Sequence, residues 1–115
     1  MLGYALIIFA IGALGGVMLA TYVLQGRLAP WPLSLAHAGL GAIGLLLLIY
    51  AAITIGISQM ALAALVILAI AALGGFYLAS IHLRGKVAER LVVFIHAGVA
   101  VVGFLTLLGV IFGAL

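Results

Sequence analysis

The chain contains no cysteine and no aspartate, and its only acidic residue is Glu89. Without cysteine there can be no disulfide, no thiolate metal site and no thioether-linked haem, because each needs a Cys sulfur. Without a second carboxylate there is no acid pair, and no nucleophile or complete metal site can be assembled from the remaining side chains, so enzyme chemistry unaided by a cofactor is not expected, whereas a part as an electron-transfer subunit of an oxidoreductase complex stays open. Charge of either sign is scarce. Charged residues make up 4% of the chain against 70% hydrophobic, and mean hydropathy is +1.67. That leaves too little polar surface to coat a soluble globule of 115 residues. The expected class is an all-α integral membrane protein.

A hydrocarbon layer of about 30 Å calls for roughly 20 apolar helical residues. Four runs meet this, at about 2–24, 33–56, 60–83 and 91–114. They fill nearly all of residues 1–115 as a single transmembrane domain, with no room for a soluble domain. The first run has no Lys or Arg before Arg27 and is longer than the apolar stretch of a signal peptide, so it reads as a retained helix. Short connections such as Ile57-Ser58-Gln59 make sequential helices antiparallel neighbours, which gives an up-down-up-down four-helix bundle.

The few charges set the orientation. Arg27 lies in the first connection, residues 25–32, while Arg84, Lys86, Glu89 and Arg90 lie in the third, residues 84–90. The positive-inside bias then places both connections in the cytoplasm and both chain ends outside, as expected for a bacterial or archaeal inner membrane. The net charge of +3 is thereby used up as a topology and headgroup signal, and nucleic-acid binding has no support.

Residues 11–48 match residues 70–107 at a constant offset of 59 with no gap. Ile11-Gly12-Ala13-Leu14-Gly15-Gly16 answers to Ile70-Ala71-Ala72-Leu73-Gly74-Gly75, Gly26-Arg27 to Gly85-Lys86, and His37-Ala38-Gly39 to His96-Ala97-Gly98. The chain therefore reads as two tandem two-helix repeats, about 1–56 and 60–115. Two crossings per repeat imply a pseudo-two-fold axis along the membrane normal. Small residues recur every four positions, at Gly12, Gly16 and Ala20 and again at Ala71, Gly75 and Ala79, the pattern of close helix packing in lipid. Gly109-xxx-Gly113 reads as a similar stripe or a contact to another subunit.

The histidines carry the functional expectation, since polar groups inside a membrane are functional by default. His37 and His96 fall roughly 7–9 Å inside the basic boundary. His37 shares a helix face with Gly41 and Gly44, and His96 shares one with Ala100 and Gly103. An imidazole followed by a strip with almost no side chain suits haem b held between the second and fourth helices. His37 and His96 would be the axial ligands, Gly41, Gly44, Ala100 and Gly103 would line the macrocycle, and Arg27 or Lys86 would approach a propionate. His82 stands opposite Val23 in the repeat. It is expected at the interface, facing water, headgroups or a propionate, with a ligand or quinone-proximal role as the minor reading.

The resulting expectation is a small b-type cytochrome-like subunit for electron transfer, in the lipid bilayer, with a redox partner or further copies of itself and with a quinone as a possible neighbour. Its arrangement is similar in general terms to the haem-b membrane anchors of respiratory dehydrogenases, a fold-level likeness that no motif carries. The alternative is a structural membrane anchor with no cofactor of its own. A small transporter fits less well, because the one acid lies in a loop and not in the membrane.

Overall fold

The computed structural model describes residues 1–115 and contains four helices: α1 Leu2–Leu24, α2 Trp31–Thr54, α3 Gln59–Leu83 and α4 Arg90–Ile111. Each is long and apolar enough to cross a membrane. Their side chains turn outward in great number, with Leu14, Ile53, Leu73 and Phe112 among the most exposed large apolar residues, as suits a surface solvated by lipid tails. The bundle measures 42 × 22 × 19 Å, so all four helices run along its long axis. They pack in a closed circuit, α1 on α2, α2 on α3, α3 on α4 and α4 back on α1, with α1 and α3 at opposite corners, as are α2 and α4. The α1–α2 and α3–α4 interfaces are the extensive ones, so the bundle is two helix pairs laid side by side.

Helix ends explain part of the repeated pattern. Gly26, with φ +69°, and Gly85, with φ +72°, close α1 and α3 in the same way. Gly26 N–H donates to Val23 and Arg27 N–H to Tyr22, while Gly85 N–H donates to His82 and Lys86 N–H to Ile81. This left-handed glycine cap satisfies carbonyls that the helix itself leaves free. The matched Gly-Arg and Gly-Lys dipeptides are therefore caps. Gly113, with φ +75°, closes α4 likewise, and Leu115 folds its side chain onto Gly109. Gly109-xxx-Gly113 is a helix stop in place of the expected packing stripe, and α4 ends at Ile111, three residues short of the expected run.

At its other end α2 starts two residues earlier than its apolar run suggests. Pro30 is the N-cap in extended conformation and Pro32 sits in the first turn, where its missing N–H has no helical partner to lose. The Ser58 hydroxyl caps α3 by accepting from Ala61 N–H at 3.1 Å.

The closed core occupies the half that holds the chain ends. Ala5, Leu48, Ala64, Leu68 and Leu107 form one buried cluster there, with Phe9 and Ile111 packed against it. Its registration depends on two glycines. The Phe9 ring of α1 lies against Gly44 of α2, and Leu68 with Ile67 of α3 lies against Gly103 of α4, so close that an added Cβ would meet them at 2.7 and 2.8 Å respectively. Gly44→Ala should therefore destabilise the fold by about 1–3 kcal/mol through overpacking, read as a lower unfolding temperature in detergent. Phe9→Leu in the same background should recover most of that loss. Gly39→Ala, whose Cβ meets nothing within 4 Å, should leave it unchanged.

Candidate functional site

An imidazole inside an apolar bundle must find an acceptor for its N–H, yet every carbonyl in a helix already accepts from the residue four positions on. The second lone pair of such a carbonyl is reachable only where the side chain at that later position is small. Gly16 stands four residues after Gly12, and Gly75 four after Ala71. The structure uses both openings. His37 Nδ1–H donates to the Gly12 carbonyl at 2.8 Å, and His96 Nδ1–H donates to the Ala71 carbonyl at 2.8 Å. The donor is assigned without ambiguity, since a carbonyl can only accept. The imidazoles rest on the same glycines: a Cβ on Gly16 would meet His37 Cε1 at 2.9 Å, and one on Gly75 would meet His96 Cε1 at 3.1 Å. The small-residue stripe thus admits two side chains as well as bringing helices close.

Each histidine binds within its own helix pair, His37 from α2 to α1 and His96 from α4 to α3. The two rings then meet across the seam between the pairs, with centroids 6.2 Å apart and planes at 89°. With Nδ1–H held by a carbonyl, an imidazole in its neutral form carries its lone pair on Nε2, and Nε2 of neither histidine has a hydrogen-bond partner. Both residues lie six positions into their helices, about 9 Å from the helix starts.

The other expected site residues divide. Gly41 opens on free space, and Ala100 is half-buried. Gly44 and Gly103 do not line a cleft: Phe9 and Leu68 fill them, because these helices need holes for their neighbours' knobs. Both lie seven residues beyond their histidine, about 10 Å along the helix. Arg27 holds its guanidinium over the Tyr22 ring at 4.8 Å, and Lys86 is exposed in the α3–α4 connection. Both are at the histidine end of the bundle, and neither is brought against an imidazole.

His82 stands in the last turn of α3, near the end of the span as expected, but its ring is packed in place of facing water. Its ring stacks on Trp31, centroids 4.4 Å apart and planes at 2°, and its Nδ1 shares a hydrogen bond with the Ser34 hydroxyl at 3.1 Å. The imidazole that faces His96 is His37, so His82 is not the partner of His96. Ser34 is buried and was not singled out by its sequence context. A signal was present: Ser34 answers to Val93 and His82 to Val23, two of the places where the matched segments differ between polar and apolar.

Comparison with known proteins finds no matching family model, no matching curated protein and no matching solved structure. The site is therefore read from its own chemistry. Nitrogen-15 NMR of ring-labelled protein should find His37 and His96 in the Nδ1–H tautomer. Gly16→Ala should shift the His37 signals and leave those of His96 in place, with the reverse for Gly75→Ala. The Gly16 change should have the larger effect, because its contact is the closer of the two.

Proposed function

We propose that the chain is a small membrane cytochrome subunit in which Nε2 of His37 and Nε2 of His96 ligate the iron of one haem b in the seam between the helix pairs. The observation that carries this reading is the imidazole pair that meets across the seam, each ring held through Nδ1–H by a main-chain carbonyl. Two imidazoles bound head-on to one ion, each nitrogen about 2 Å from it, place their ring centres roughly 6 Å apart, and these stand at 6.2 Å. A carbonyl on Nδ1–H fixes tautomer and orientation and strengthens the ligand, the usual outer support of metal-bound histidine. The donor set also suits the group. No three His, Cys, Asp or Glu side chains come together, which disfavours tetrahedral zinc, whereas a porphyrin supplies four nitrogens itself and asks the protein for two.

Gly12 and Ala71 orient the ligands through their carbonyls, and Gly16 and Gly75 keep the rings in place from behind. Gly41 and Ala100, one turn beyond the histidines on the same helix faces, would lie beside the group. Arg27 and Lys86 supply positive charge at the end where propionates would emerge. When bound, the haem supplies one-electron redox chemistry.

The same reading takes the chain as two tandem repeats, about 1–56 and 60–115, related by an axis along the membrane normal. The paired hydrogen bonds from His37 to Gly12 and from His96 to Ala71, each spanning 25 residues, support it. It also places residues 25–32 and 84–90 in the cytoplasm, from the confinement of every Lys and Arg to them. A structural anchor is the second reading, favoured by the fact that each histidine bond fastens the two helices of its own pair.

Expression with ample haem should yield a purified protein with a Soret band and a reduced-minus-oxidised spectrum of a low-spin b haem. His37→Ala and His96→Ala should each abolish it while leaving helical content intact. A wild-type protein without the Soret band would leave the anchor reading in its place. Orientation is checked separately: in intact cells a membrane-impermeant maleimide should label a cysteine introduced beside Leu115 and spare one introduced at Arg84. The opposite pattern reverses the topology.

A further inference from the structure

The α2–α3 and α1–α4 seams occupy corresponding places in the bundle but differ in chemistry. At α2–α3 stand Trp31, Ser34 and His82; the positions that answer to them at α1–α4 are Arg90, Val93 and Val23. Arg90 closes its seam by donating from Nη2 to the Leu24 carbonyl at 2.9 Å. Two valines thus suffice for packing at this depth, and the serine–histidine pair is not something the fold requires.

The polar version carries a cost. His82 Nε2 is sealed from solvent and has no hydrogen-bond partner, whichever way the proton lies between Nδ1 and Ser34. Leaving a buried polar nitrogen unmatched is destabilising, so a group retained in this state points to a partner that arrives from outside. The partner must reach His82, the second-to-last residue of α3, at the end of an apolar span. It must offer a single hydrogen-bonding oxygen to a ring nitrogen, and it must tolerate a flat aromatic neighbour. Trp31, 38% exposed in the first turn of α2, is the outermost member of the stack and the one able to give way. A phosphate would be drawn instead to the nearby guanidinium of Arg84, which lies outside this stack.

We propose that the Trp31–Ser34–His82 cluster is a binding site for the headgroup of a lipophilic quinone or quinol, one ring oxygen hydrogen-bonded to Nε2 of His82 and the ring lying beside Trp31. An imidazole nitrogen suits both forms, because tautomer exchange with Ser34 lets Nε2 donate to a carbonyl or accept from a hydroxyl. The site is built from side chains other than the His37–His96 pair and does not require that pair to hold haem.

Trp31 is the only tryptophan in the chain, so its fluorescence reports on this site alone. The full-length protein in phosphatidylcholine nanodiscs is titrated with a short-chain benzoquinone and, separately, a short-chain naphthoquinone. At least one should quench Trp31 saturably. His82→Leu should raise the midpoint about tenfold, the equivalent of one buried hydrogen bond. Ser34→Ala should raise it by less and serves as the readout if His82→Leu does not fold. Wild-type protein expressed without added haem should show the same midpoint as protein expressed with it, so that absence of haem and absence of quinone binding are told apart. Linear quenching by both compounds, identical in wild type and His82→Leu, would mean mere partitioning into lipid and would overturn the site. An unchanged midpoint in both His82→Leu and Ser34→Ala would do the same.

Discussion

In a medium without water, the N–H of an imidazole needs a carbonyl that still has a free lone pair and no side chain in front of it. Such carbonyls are rare in helices, where the residue four positions on usually covers them. Gly12 followed by Gly16, and Ala71 followed by Gly75, make two of them, and His37 and His96 use both at 2.8 Å. These bonds fix how far apart α1 and α2 lie, how far apart α3 and α4 lie, and the axial register within each pair. The contacts of Phe9 with Gly44 and of Leu68 with Gly103 then follow at the height the register dictates. Replacing a glycine behind either ring would disturb imidazole orientation and helix register together. Fold and candidate site therefore share one set of residues.

Much of this was legible from the residues. Apolar runs as long as a bilayer is thick and connections of a few residues are enough to specify four helices, and all four are present with ends within three residues of expectation. A histidine at the same place in each matched segment was equally visible. What periodicity cannot supply is the identity of the neighbour across a face. His37, Gly41 and Gly44 do share a helix face, yet Gly44 is taken by Phe9 of α1, a contact that depends on interhelical register alone. The glycine at 16 looked like a packing residue because nothing in its own helix announces the imidazole that comes to rest on it.

His82 shows the opposite case, a residue whose role was obscured by reading the matched segments for agreement. Its counterpart Val23 marked it as the odd one, and Ser34 opposite Val93 was odd in the same sense. Only the circuit of helices, which sets α2 against α3, brings the two exceptions to 3.1 Å of each other. Agreement between the segments marks what both helix pairs need, namely caps at Gly26 and Gly85 and acceptors for two histidines. Disagreement marks what only one seam does.

The distribution of polar groups along the bundle also limits what a cofactor here can serve. Every histidine, the buried serine and every cation lie in the half that carries the first and third connections. The other half is closed by Ala5, Leu48, Ala64, Leu68 and Leu107 and contains no histidine and no carboxylate side chain. On the haem reading the protein thus has one redox centre, about 9 Å inside one face, and nothing of its own with which to pass an electron on to the other face. Its exchange partners must then meet it from the same side or from the adjoining leaflet. The seam of Trp31, Ser34 and His82 lies on that same side, with Ser34 one helical turn before His37 on α2, so a membrane-dissolved partner at that seam would approach the centre from the same face.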